Sequence, residues 1–207
     1  ASDLGGETDR IETSLAGLGR VLNQGDSTQW RAGLQAFSST GDSALERAVY
    51  VGVRDSGGQL RLLSGSEPDE PVRCLEGESS RLVSFATTVG SGEEGPGTFL
   101  EAAFWMSALV RSVPTNPSHR FAVQALPDGS ALYQSGCPGL DGDGGWVQAA
   151  SGSLAASDEQ GELTSFQFED DEGLKAGGAA LVTGRAWRVV AVSPLGSVLG
   201  PLQRLMF

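Results

Sequence analysis

The stretch Phe121-Ala122-Val123-Gln124-Ala125-Leu126-Pro127-Asp128-Gly129-Ser130-Ala131-Leu132-Tyr133-Gln134-Ser135-Gly136 decides the fold class. An extended, alternating run meets a Pro-Asp-Gly reversal, and a second extended run returns and closes on Ser-Gly. A period of two puts one side of each strand on a core, and glycine supplies the backbone freedom of a tight turn, so the segment predicts an antiparallel hairpin. The chain contains one echo of it. Ala48-Val49-Tyr50-Val51-Gly52-Val53 is rich in β-formers, Asp55-Ser56-Gly57-Gly58 makes an acidic turn, and Leu60-Arg61-Leu62-Leu63 returns to Ser64-Gly65. Two such hairpins point to two modules of related architecture.

Downstream of the second hairpin, residues 163–168, 179–183 and 187–193 read as strands separated by glycine-rich or acidic turns, which makes about five antiparallel strands with the hairpin. Pro194 breaks the last one. Leu195, Val198, Leu199, Leu202 and Leu205 then recur at helical spacing, weakened by Gly200 and Pro201. At the other end, Ile11, Leu15, Leu18 and Leu22 predict a one-faced helix, with Thr8 or Asp9 as N-cap and Gly25 past its end. Trp30, Leu34 and Phe37 predict a shorter one behind a Ser27 cap. Between the hairpins, Leu82, Val83, Phe85 and Val89 read as a strand, and residues 90–97 as a loop. Thr98 and Glu101 have capping-box spacing ahead of an apolar run, which predicts a buried helix over 99–110, ended by Pro114 and Pro117. The fold class is α+β, with antiparallel sheet, an N-terminal helical segment and flanking helices.

Composition narrows the partners. The 207 residues are 39% hydrophobic, enough for an ordinary core. No apolar run reaches the roughly 18 residues that span a bilayer. A net charge of −12, with Lys175 as the sole lysine, repels phosphate backbones and anionic lipid, so nucleic acid and membrane surfaces are poor partners and no nucleic acid is expected. The absence of an initiating Met and of a leader pattern indicates a chain processed or cut from something larger. Cys74 and Cys137 are the only cysteines and fit either one disulfide in an oxidising compartment or two buried thiols. Their turn-rich surroundings favour surface positions. A bond between them would close a loop of about 60 residues and contribute about 4 kcal/mol.

Catalytic signatures are weak. His119 is the single histidine, in a proline-bounded loop, so a multi-imidazole zinc site is excluded and no G-x-S-x-G elbow accompanies it. Lys175 follows an acidic run in a place suited to a turn. Asp141-Gly142-Asp143-Gly144 offers two side-chain ligands at most and then departs from the calcium-loop pattern. No pair of acids is singled out for glycoside chemistry. The chain is therefore read as a binding module, not an enzyme, with no metal and no cofactor.

The order of elements resembles the PAS-like extracytoplasmic sensor modules called Cache domains, and more loosely CHASE domains, of bacterial receptors. The resemblance is carried by the helix at 11–22, the hairpins at 49–63 and 121–134, and the ending Gly184-Arg185-Ala186-Trp187-Arg188-Val189-Val190-Ala191-Val192-Ser193-Pro194. In that family a final strand of the type W-x-V-V-x-x-x-P precedes a helix running toward the bilayer. The resemblance implies an N-terminal helical segment at 1–44, a membrane-distal partial PAS-like module at 45–115 and a PAS-like module with a short C-terminal helix at 116–207. It also implies a small-molecule ligand held against one sheet in an apolar pocket with a few polar groups.

Trp105, Arg111, Tyr133 and Trp146 are the candidate ligand residues, because aromatic walls and one guanidinium can hold a small carboxylate. Each also has an ordinary reading: Trp105 as helix core, Arg111 as a charge favoured at a helix C-terminus, Tyr133 and Trp146 as packing. The implied role is a ligand-sensing domain on the periplasmic face of the inner membrane, attached through flanking segments, with a homodimer as one assembly open to it. It would serve a sensor kinase, cyclic-dinucleotide enzyme or chemoreceptor by shifting its terminal helices. The alternatives are a non-signalling periplasmic interaction or assembly module and an acid-pair hydrolase.

Overall fold

The computed structural model describes residues 2–24, 27–39, 43–75, 77–89, 98–111, 119–136, 145–156, 163–170, 173–182 and 184–195. The 90–97 loop, residues 112–118 with Pro114 and Pro117, Cys137, the 141–144 turn and the helical spacing beyond Leu195 lie outside the described residues. The chain divides into two compact units. An inserted unit holds residues 6–71 and 82–109. A flanking unit holds residues 1–5, 72–81 and 110–207.

The first helix, α1 (Ser2–Leu22), is longer than its apolar spacing predicted. It runs through Gly5-Gly6 and carries Thr8 fully buried inside it instead of at its cap. The reason is tertiary: Leu4, Ile11, Leu15, Leu18 and Leu22 are all at most 2% exposed, so burial of one continuous stripe outweighs the low helix propensity of the glycines. A 3-10 turn (Ser27–Gln29) leads into α2 (Trp30–Ser39). The two helices approach at small residues. A Cβ on Gly33 would lie 3.0 Å from Leu22 Cδ2, and one on Gly17 3.3 Å from the Phe37 ring.

The sheet of the inserted unit is antiparallel throughout, in the order β2-β1-β5-β4. The expected hairpin is present as β1 (Tyr50–Arg54) and β2 (Leu60–Gly65). A bulge between Val51 and Gly52 shifts its register. Short β3 (Val72–Leu75) pairs with the start of β4 (Glu78–Thr88), whose residues 82–88 belong to the inserted unit, as the strand expected there. The predicted helix over 99–110 is a correction. Residues there form β5 (Phe99–Trp105), and only Met106–Val110 is helical, as α3. β5 lies between β1 and β4 with residues 100–104 buried on both sides of the strand, and a strand so buried shows nearly the same apolar run as a buried helix.

In the flanking unit the second hairpin is β6 (Arg120–Ala125) and β7 (Ala131–Ser135), with a cis Leu126-Pro127 bond in its turn. After α4 (Gly145–Ala156) come β8 (Leu163–Asp170), β9 (Gly173–Leu181) and β10 (Trp187–Pro194). The order β7-β6-β10-β9-β8 supplies the five antiparallel strands expected, with β9 beginning six residues earlier than the strand expected at 179–183. Helix α4 was not expected, because Gly145, Ser151, Gly152 and Ser153 are poor helix formers. It is held by packing. Trp146, Val147, Ala150 and Leu154 form one cluster with Ala122, Phe166, Phe168, Ala179, Val190 and Val192 of the sheet.

Lys175 is the second correction. Instead of a turn residue it is a buried member of β9, 4% exposed, with Asp170 Oδ1 3.7 Å from its ammonium. The β8–β9 ladder runs to Asp170 opposite Gly173, so Lys175 pairs with Phe168 and its charge is met by the last carboxylate of β8.

Candidate functional site

Strand pairing sorts the inserted sheet into two chemically different faces. Val51, Val53, Val83, Phe85, Leu100, Ala102 and Phe104 share one face and are buried. α1 covers it closely: a Cβ on Gly19 would meet Val89 at 3.3 Å and Thr87 at 3.4 Å. The other face carries Tyr50, Gly52 and Arg54 of β1, Glu101, Ala103 and Trp105 of β5, and Leu82, Ser84 and Ala86 of β4. Small residues line much of it, and Ser84 and Ala86 are exposed.

The centre of that second face is a carboxylate. Glu101 is 8% exposed, and its two oxygens are separately engaged. The Tyr50 hydroxyl donates to Oε1 at 2.7 Å and Arg54 Nε donates to Oε2 at 2.7 Å. Arg54 Nη1 donates to Gly58 O at 2.9 Å, and Nη2 lies 3.8 Å from Glu67. Burial pushes the Glu101 pKa upward, but the hydrogen bonds from Arg54 and Tyr50, the Arg54 charge and a bond from Ser84 outweigh it and hold the carboxyl below its ordinary range. Tyr50 is pushed up to about 12, first by burial and then by its bond to Glu101. The group is thus a fixed, ionised carboxylate. Counting Glu67, two carboxylates face one guanidinium, a net charge of −1.

No protein-family model matches the sequence, and no curated protein matches it. Solved structures do. The ligand-binding domain of the Pseudomonas aeruginosa PAO1 amino acid chemoreceptor PctB, in complex with L-Arg, superposes with a TM-score of 0.63 at 11% identity, covering 95% of this chain and 91% of that one. The PctC domain from the same organism, in complex with GABA, gives 0.55 at 13% identity, with 93% and 94% covered. The periplasmic sensory domain of the Campylobacter jejuni chemoreceptor Tlp1 gives 0.53 at 11% identity, with 96% and 91% covered.

The chain has the fold of a bacterial extracytoplasmic sensor domain. The α+β class and the Cache-like resemblance both hold at this level.

Within this sensor fold the four residues expected at a ligand site are divided between the two units. Trp105 ends β5, half-buried, on the Glu101 face of the inserted unit. The other three belong to the flanking unit. Arg111 is an exposed turn residue just after α3, close enough to Arg73 that its charge, after burial, helps lower the Arg73 pKa. Tyr133 is 3% exposed, packs against Phe121 with tilted rings 4.9 Å apart, and is pushed to high pKa first by burial and then by its bond to Glu78. Trp146 is 2% exposed in the α4 core, and its indole N–H has no hydrogen-bond partner among the described residues. His119 is exposed. Sequence reasoning passed over Tyr50, Arg54 and Glu101. The available signal was a lone acid inside an apolar run, which capping-box spacing claimed first. Cys74 is exposed on β3 and is disulfide-bonded.

Proposed function

We propose that the chain is the ligand-sensing region of a bacterial signal-transduction receptor, held at the periplasmic face of the inner membrane by flanking segments, and that it takes a small amine-bearing solute on the Glu101 face. The fold it shares with the chemoreceptor domains supports the sensing role. The observation that carries the site is the buried Glu101 carboxylate, held ionised by Tyr50 and Arg54 beside exposed Ser84 and Ala86. Such a group gains a charge-assisted bond from an ammonium, and the net negative charge of the cluster disfavours a dicarboxylate. L-Arg and GABA, found in the PctB and PctC complexes, both carry an amine. Trp105, about 13 Å along β5 from Glu101, would wall the far end for the apolar part of the ligand.

The test is a thermal-shift screen of amines and amino acids on the wild type and on Glu101→Gln. A ligand at 100 times its Kd contributes about 2.7 kcal/mol, which raises Tm by roughly 5–10 °C in a domain of this size. At least one amine should do so, and Glu101→Gln should abolish it while remaining folded. Stabilisation by no amine would favour a non-signalling interaction module.

We also infer that Cys74 bonds to Cys137. Gly136 N donates to Gly77 O at 2.7 Å and Gly136 bridges Glu78, which places the residue before Cys137 beside the β3–β4 hairpin. Alkylation followed by mass measurement should show both cysteines blocked until reductant is added.

A further inference from the structure

The β1–β2 hairpin carries two arginines in opposite electrostatic states. Arg54 is saturated by Glu101, Glu67 and Gly58 O. Arg61, exposed on β2, has no carboxylate among the ion pairs of the described residues and rests its guanidinium on the Trp30 ring, 5.9 Å from the centroid. The ring is itself fixed, because Trp30 Nε1 donates to Leu22 O at 3.2 Å and the residue is 7% exposed. Arg61 and Trp30 open into a cleft of ≈ 540 Å³ lined also by Val53, Leu60, Gln59, Thr98 and Asp55.

We propose that this cleft is a second binding site, separate from the Glu101 face, for a monocarboxylate with an apolar body. A guanidinium stacked on an indole keeps its N–H edge free and oriented for bidentate recognition of a carboxylate. Val53 and Leu60 supply apolar wall, and the volume lies in the range of small-molecule sites. Asp55 sets the charge limit. Its Oδ1 accepts from Gly57 N and Gln59 N, both at 2.9 Å, so the carboxylate is locked at the rim, where it repels a second negative charge on the ligand.

The experiment titrates isotope-labelled protein with benzoate, and with succinate and benzylamine as charge controls, following the Trp30 indole N–H and the backbone amides of Gln59 and Arg61 by NMR. Benzoate should shift all three saturably, and the controls should not. Arg61→Gln should weaken benzoate by at least about tenfold, and Arg61→Lys should recover only part of that. Glu101→Gln should leave the benzoate Kd within about twofold, which keeps this result distinct from the amine site. Because Arg61 is exposed, its variants keep the wild-type Tm within a few degrees. Absence of a saturable benzoate shift at Trp30, an unchanged Kd in Arg61→Gln, or shifts confined to Tyr50 and Glu101 would each overturn the proposal.

Discussion

The two sheets treat one problem in opposite ways. In the flanking unit, one sheet face is filled by the chain's own helix: α4 lays Trp146, Val147, Ala150 and Leu154 on Phe166, Phe168, Val190 and Val192. Polar groups on that face are tied to the cover, as where Gln124, 1% exposed, donates to Ser151 of α4 at 2.6 Å. In the inserted unit, the face away from α1 holds a buried carboxylate paired with the half-buried Arg54 and bordered by exposed Ser84 and Ala86. A face packed with aromatic and aliphatic groups is committed to stability. A face with an ionised carboxylate has accepted a desolvation cost that a hydrophobic isostere would avoid, and the proposed amine recognition rests on that difference.

Replacing glycines tests how strictly each sheet is built, and the largest effect belongs to the inserted one. Gly65 has φ +75, and a Cβ there would lie 2.0 Å from Val49 O, a backbone atom that cannot swing away. Gly65→Ala should cost about 3 kcal/mol or more in urea unfolding, or prevent folding. In the flanking sheet, a Cβ on Gly177 would meet Phe166 at 2.5 Å and Ala191 O at 3.0 Å. Gly177→Ala should cost about 1–3 kcal/mol, because the ring can partly yield.

Next comes the ion pair. Glu101→Ala leaves the Tyr50 hydroxyl and Arg54 Nε without their shared acceptor and should cost about 1–3 kcal/mol. The Glu101 carboxyl has a folded pKa below its ordinary 4.5, so its contribution is complete above that value and is lost as pH falls through the lower folded value. Wild type should therefore lose stability on acidification below about pH 4.5 more steeply than Glu101→Gln, which removes the titrating group. The smallest effect belongs to Trp146. Its buried N–H has no partner among the described residues, a cost that Trp146→Phe removes while losing some packing, so the net change should stay within about 1 kcal/mol by calorimetry. A large loss there would mean that the indole N–H has a partner, and would weaken the contrast between a packed face and one that holds a carboxylate.

Much of this was legible in the residues. Both hairpins, the strands at 82–89 and 163–193 and the one-faced leading helix follow from period and turn chemistry, which act over a few residues and so are written locally. The failures share one cause. Residues 99–105 and 145–156 have patterns that do not decide between helix and strand, or that argue against any helix, and their state is set by what covers them. Lys175 reads as a turn residue because its neighbours are acidic, yet β9 has already begun at Gly173.

The candidate site shows the same division. By itself the sequence determined an α+β chain of antiparallel hairpins, an acidic surface and the lack of a nucleophile-base signature. Only the tertiary structure decided that Tyr50, Arg54 and Glu101 meet. They stand 47 and 51 residues apart from first to last, and they become neighbours because β5 pairs with β1 and places Glu101 opposite Gly52. Cross-strand pairing sets which residues share a face, and that register is fixed by the burial of the whole opposite face against α1, an energy no local window contains.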